Sequence, residues 1–217
     1  MTLVRDAHSI AYFDRKCYIV SSGTDSIIEF SPEDGERVFW RANDGGADTI
    51  HLNSVLWDDG GCWVTAFGPK LGPLWSSADH GYVLNVLTGE RQMTTLYHPH
   101  SLVKADGVFY VCESTPMRVR NSAGLDVCIP RGYLRGLAVE SGHILVGCTR
   151  GRKTSKSTGT LIDNSADPGE PSGEPGLAIY RTGESRVAPE FDCFIDLSEY
   201  ADEVYDIVAT PDGGLFQ

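Results

Sequence analysis

The sequence predicts an all-β fold, a β-propeller, and three observations predict it. Five segments repeat one two-strand unit without an internal gap. Each unit carries a turn of hairpin chemistry. A second strand pair follows most of them. Periodic units of this kind are the signature of stacked blades, since one unit cannot bury its apolar faces alone. The expectation is five blades of four antiparallel strands, the last incomplete.

The five units are HSIAYFDRKCYIV from His8, NSVLWDDGGCWVT from Asn53, HSLVKADGVFYVC from His100, RGLAVESGHILVG from Arg135 and DIVATPDGGLFQ from Asp206. Two places after the start stand Ile10, Val55, Leu102, Leu137 and Val208; one place further stand Ala11, Leu56, Val103, Ala138 and Ala209. Apolar residues at neighbouring positions point to opposite faces of a strand, so both faces are expected to be buried. Between the two strands lie Asp14-Arg15-Lys16, Asp58 to Gly61, Asp106-Gly107, Ser141-Gly142 and Pro211-Asp212-Gly213. Asp-Gly and related pairs suit tight hairpins, because their residues tolerate positive φ. The second pairs are SIIEFSPEDGERVFW, GYVLNVLTGERQMTTL, MRVRNSAGLDVCI and GLAIYRTGESRVA.

Successive starts are 45, 47, 35 and 71 residues apart. The first three bracket the roughly 40–45 residues of a four-stranded blade. The last spacing holds an insertion at about 149–175, whose second half is rich in Asp, Glu, Pro, Gly and Ser and reads as a mobile loop. The whole of 1–217 reads as one propeller domain. The fifth unit stops inside its second strand; Met1 to Asp6, or a second copy in a homo-oligomer, would complete it, or the chain is part of a longer protein.

The net charge of -12 repels phosphate backbones and anionic bilayers, so nucleic-acid and membrane partners are not expected. No stretch is apolar enough to span a bilayer, and Met1 to His8 lacks a signal-peptide pattern. The six cysteines, Cys17, Cys62, Cys112, Cys128, Cys148 and Cys193, form no CxxC pair and lie mostly in apolar runs; buried, reduced thiols of a cytoplasmic protein are expected.

Chemistry concentrates at the unit starts. His8, Asn53, His100, Arg135 and Asp206 are polar in all five units, whereas the columns two and three places further on are apolar. The first residues of the inner strands lie at one mouth of a propeller channel. His51 and His98 precede two starts by two residues, and a strand extended that far would aim them with Asn53 and His100. Glu203, in DEVYD, adds a carboxylate. The insertion adds Arg152 and Lys153 within a basic, hydroxyl-rich run, TRGRKTSKSTG, suited to an anion although it is not a Walker loop. His80 and His143 read as turn residues at the surface.

The predicted function is an enzyme acting on a small polar, anionic metabolite by histidine acid/base chemistry of lyase, isomerase or hydrolase type. His98 and His100 lead as proton carriers, with His51, Glu203 and Asp206 beside them. His8, Asn53, Arg135, Arg152 and Lys153 would bind substrate. One alternative is a non-catalytic propeller that binds a ligand or partner protein. Another is a metal-dependent hydrolase, with a divalent cation on His8, His100 and Asp206.

HLNSV with VTA, HPHSL followed by ESTP, LRGLAV with VGCTRGRK, and EVYDIVATP, in that order, resemble an uncharacterised bacterial propeller family of unknown function. The resemblance spans about Asp6 to Pro211. It implies a propeller fold, no established reaction, and site positions at His8, His51, Asn53, His98, His100, Arg135, Arg152, Glu203 and Asp206. The pattern is also distantly similar to gluconolactonase-like propellers, which hold a divalent metal with carboxylate and Asn side chains. Asn53 and Asp206 match that chemistry; His8, His100 and Arg135 depart from it.

Overall fold

Sixteen β-strands make up a computed structural model of the chain, which describes residues 2–129, 131–150, 173–182 and 189–209. The strands form four antiparallel four-stranded sheets in chain order, the number and order of propeller blades. Blade one holds β1 (Ala7–Phe13), β2 (Lys16–Ser21), β3 (Ser26–Ser31) and β4 (Gly35–Arg41). Blade two holds β5 (Leu52–Asp58), β6 (Gly61–Ala66), β7 (Gly81–Asn85) and β8 (Arg91–Leu96). Blade three holds β9 (Pro99–Ala105), β10 (Val108–Glu113), β11 (Arg118–Asn121) and β12 (Asp126–Cys128); blade four holds β13 (Tyr133–Glu140), β14 (His143–Thr149), β15 (Gly176–Arg181) and β16 (Glu190–Asp196).

Each of the first four repeat units is thus the first hairpin of a blade. Three of the predicted turns have the predicted backbone: Asp14 and Arg15, Asp106 and Gly107, and Ser141 and Gly142 all take positive φ at both central positions. That is the type I′ turn, whose twist matches the flanking strands. In the Asp58–Gly61 turn only Gly61 takes positive φ, at 122°, and 211–213 lie outside the described residues. The second pairs form the outer strands, with β16 lying beyond 183–188, which are outside the described residues.

Of the fifth unit, 206–209 form no strand and 210–217 lie outside the described residues. Residues 2–6 form no strand either. Thr2 donates from N and Oγ1 to Glu36 at 2.5 and 2.6 Å, and Ser22 N donates to the Asp6 carbonyl at 3.1 Å, so this segment lies along blade one. The insertion's residues 151–172, including Arg152 and Lys153, are outside the described residues.

The described residues fall into two compact units, 2–102 and the remainder, with the boundary inside β9. The core of the first is Tyr18, Val20, Ile27, Leu52, Val55, Cys62, Val64, Ala66, Tyr82 and Val86. It joins blades one and two, and Phe13 stacks on Trp57 with ring centroids 4.6 Å apart. The core of the second gathers Cys112, Val119, Ile129, Leu134, Leu137, Ile144, Val146, Cys148, Ala178 and Tyr180.

Burial of both strand faces holds for Val55, Leu102 and Leu137, which are buried, but Ile10 is 61% and Val208 81% exposed. In β1 the face carrying Ser9 and Phe13 meets blade two, which leaves Ile10 and Tyr12 on the other side. All six cysteines are free. Cys62, Cys112 and Cys148 are buried and Cys17 half-buried, but Cys128 and Cys193 are exposed because they sit on the outermost strands β12 and β16. No helix among the described residues is long and apolar enough to cross a membrane.

Candidate functional site

The inner strands are irregular at their starts. Register slips between Ala7 and Ser9 in β1, between Leu52 and Val55 in β5, and between Leu134 and Leu137 in β13. His8, Asn53 and Arg135 therefore each stand in a β-bulge, which frees a residue from the ladder and re-aims its side chain. β5 begins at Leu52 and β9 at Pro99, so His51 and His98 precede their strands, at φ 49° and 47°. Simple alternation with Asn53 and His100 does not hold for them, because a left-handed residue breaks the period of two.

Four imidazoles still meet in the first unit, through a residue the repeat starts do not include. Phe67, which follows β6, stacks on His98 at a centroid distance of 4.6 Å and an interplanar angle of 16°. It meets His100 edge-on at 5.2 Å and His51 at 4.5 Å. His51 in turn meets His8 edge-on at 5.0 Å and Trp75 at 4.8 Å. Lys70 places its Nζ 4.3 Å from the centroid of Trp75. Phe67, Lys70 and Trp75 all come from the connection between β6 and β7. Gly68 closes its base at φ 83°, where a Cβ would lie 2.6 Å from the His80 carbonyl oxygen.

The repeat explains why the cluster is here. Fourteen places after the starts stand Ser22, Phe67, Ser114 and Thr149. The Ser22 hydroxyl donates to the carbonyl of Leu52, just before the second start. Ser114 does the same to Leu134, just before the fourth, at 2.6 Å. Thr149 donates to Val204 at 3.0 Å. In the second repeat, which starts at Asn53, this hydroxyl clasp is replaced by the ring of Phe67, and the histidines pack on that ring. The column was readable in the sequence by one non-hydroxyl residue among four.

Hydrogen bonds set the tautomers. His51 Nδ1 lies 3.2 Å from Asp48 Oδ2, His8 Nδ1 3.1 Å from the Asp6 carbonyl, and His100 Nδ1 2.9 Å from the His98 carbonyl. Each of these rings donates from Nδ1 when neutral and keeps its lone pair on Nε2. His98 is reversed: its Nε2 donates to the Trp75 carbonyl at 2.8 Å. Burial holds the His98 pKa below the ordinary histidine value, against the opposing pull of carbonyls from Trp75 and Ala78. His98 and His100 are buried, whereas His8 and His51 are half-buried. Asn53 is 3% exposed, and whichever way its amide is turned, one polar end has no partner among the described residues; the same holds for Asp48 Oδ1.

The second unit holds the other nominated residues. Arg135 is half-buried, with its guanidinium carbon 5.5 Å from the ring centroid of Tyr133 and 5.0 Å from that of Tyr205. Glu203 is half-buried and Asp206 exposed. Among the described residues no group of three or more His, Cys, Asp or Glu is placed to hold a metal ion; of the residues named for the metal alternative, His8 and His100 belong to the first compact unit and Asp206 to the second. His80 is exposed, as expected, while His143 opens β14 and is half-buried.

The luciferin-regenerating enzyme is similar in structure, at 11% identity, over 94% of this chain and 79% of that one, with a TM-score of 0.51. Virginiamycin B lyase from Staphylococcus aureus aligns at 15% identity over 95% of this chain and 71% of its own, TM-score 0.49. A protein of unknown function from Bacteroides caccae aligns at 14% identity over 91% and 84%, TM-score 0.46. With four blades in chain order, the first likeness shows that the fold is a β-propeller. No curated protein matches the sequence. The family described as Domain of unknown function (DUF4915) matches residues 2–213, and the chain belongs to it.

Proposed function

We propose that the histidine cluster of the first unit is an acid/base site for a small polar metabolite, with His51 as its base. The observation that carries this reading is the pairing of His51 Nδ1 with the Asp48 carboxylate. A carboxylate behind Nδ1 holds one tautomer, directs the Nε2 lone pair away from itself and stabilises the imidazolium that forms on proton uptake. His8, edge-on to His51, is the second proton carrier. His98, committed to the Trp75 carbonyl and flat on Phe67, acts as a wall rather than a proton carrier, and His100 supports it. Asn53 supplies an amide for a ligand's polar edge. An anionic group on the metabolite suits the imidazoles and Lys70; Arg135 offers a separate anion contact within its own unit.

Histidine ring signals in ¹⁵N-labelled protein, followed during titration with small carboxylates, phosphate esters and lactones, test the reading. His51 and His8 are expected to move and His143 to stay. Turnover of any compound found this way is expected to fall about 10²–10⁴-fold in His51→Gln. Turnover that survives His51→Gln would refute the acid/base role. Saturable binding without turnover would favour a binding propeller, the reading that the aromatic wall of Phe67 and Trp75 supports.

A further inference from the structure

We propose that Asp25 is a positioning residue that holds His51 and Asp48 in place from the neighbouring blade. The inference deepens the acid/base reading of His51 and rests on it for its functional meaning. Asp25 follows β2 in a left-handed turn, at φ 43° and ψ 49°, and is fully buried. Its Oδ2 accepts from Thr49 N at 2.5 Å, Thr49 Oγ1 at 2.8 Å, Ile50 N at 2.9 Å and Asn43 Nδ2 at 3.4 Å. Its Oδ1 accepts from Leu52 N at 3.2 Å. One carboxylate therefore grips the chain on both sides of residue 51.

The opposite edge of the same segment is also tied. Phe67 N donates to the His51 carbonyl at 3.3 Å and Gly68 N to the Ile50 carbonyl at 3.1 Å. Between these holds His51 sits at φ 49°, a conformation a non-glycine residue keeps only where its surroundings impose it. Asp48, three residues before His51, lies next to the gripped stretch and takes its position from it.

The turn itself does not need a carboxylate. Met117 occupies the equivalent place in blade three, seventeen residues after the unit start, and it too is left-handed, at φ 50°. Met117 N donates to Ser114 O at 3.3 Å and its carbonyl accepts from Ile129 N at 2.7 Å. In blade one Asp25 N donates to Ser22 O at 3.2 Å and its carbonyl accepts from Ala42 N at 2.9 Å. The backbone work is the same in both blades. A buried acid at this place is explained by what its side chain holds, which is the segment that presents His51.

The test uses the full chain without ligand and reads the imidazole nitrogens. In Asp25→Asn the amide cannot accept from all five donors, so the His51 Nδ1 and Nε2 signals are expected to shift. The Asp48-bonded Nδ1–H is expected to exchange with solvent about tenfold faster, as loss of a hydrogen bond to a charged group would produce. His98 and His143 should not move, which separates positioning from general loosening. Thr49→Val removes one of the five donors and should give a smaller shift of the same sign. It decides the matter where Asp25→Asn does not fold. Unchanged His51 signals in a folded Asp25→Asn, or in Thr49→Val where that variant decides, would overturn the proposal and leave the His51 function standing. Turnover unaffected by His51→Gln would remove that function and leave the positioning result intact.

Discussion

At the scale of single residues, the four clustered histidines divide by hydrogen-bond partner rather than by position in the repeat. His98 donates a hydrogen bond from Nε2 to the Trp75 carbonyl and is buried with its ring stacked on Phe67. Its pKa lies lower in the folded chain than in the unfolded chain. Between the two values the unfolded state binds the extra proton, so stability rises with pH there and is lost as pH falls through the ordinary histidine range. Thermal melts from pH 7.5 to pH 5.5 are expected to show a falling Tm, and His98→Gln is expected to flatten that dependence; an equal slope in the variant would remove His98 as its source. In the sequence His51 and His98 looked equivalent, each two places before a unit start. Both take left-handed backbone, and their partners separate them: the Asp48 carboxylate for His51 and the Trp75 carbonyl for His98. Neither property is written in the spacing.

At the scale of elements, the hairpins were the most legible part, because Asp-Gly and Ser-Gly at a two-residue turn leave few conformations. The bulges were not legible. A bulge inserts a residue without changing the apolar count of a strand, so the columns through His8, Asn53 and Arg135 still aligned without gaps. The column fourteen places on carries the clasp between successive repeats, and its energetic role can be measured. Ser114 is buried, and its hydroxyl meets the Leu134 carbonyl inside the second unit. Ser114→Ala leaves that carbonyl without its side-chain donor and is expected to cost about 1–2 kcal/mol in urea unfolding. A change below about 0.5 kcal/mol, the size of an ordinary surface substitution's effect, would show that the clasp is geometric and not energetic.

At the scale of the molecule, the repeat made the propeller readable; five blades were expected with the last incomplete, and the described residues form four complete sheets, with no strand at 206–209. The site was only half readable. Its imidazoles stood in or two places before the unit starts, but Asp48 and Trp75 come from connections with no periodic signature, and Phe67 and Asp25 each replace a residue of another type in its repeat column. Burial of the thiols has a further use at this scale. Desolvation pushes Cys62 up to about 12 and Cys148 to about 11, and Cys112 higher still, whereas Cys128 and Cys193 face solvent. Cys62 lies in the core of the first unit, Cys112 and Cys148 in that of the second. Alkylation in native buffer is expected to mark Cys128 and Cys193 first; labelling of the three buried thiols waits on opening of their own unit. Mass spectrometry of a labelling time course would then clock each unit separately. One rate shared by Cys62 and Cys148 would mean that the two cores open as one, and faster labelling of Cys148 than of Cys62 would mean that half of this protein can come apart while the half carrying the histidine cluster stays closed.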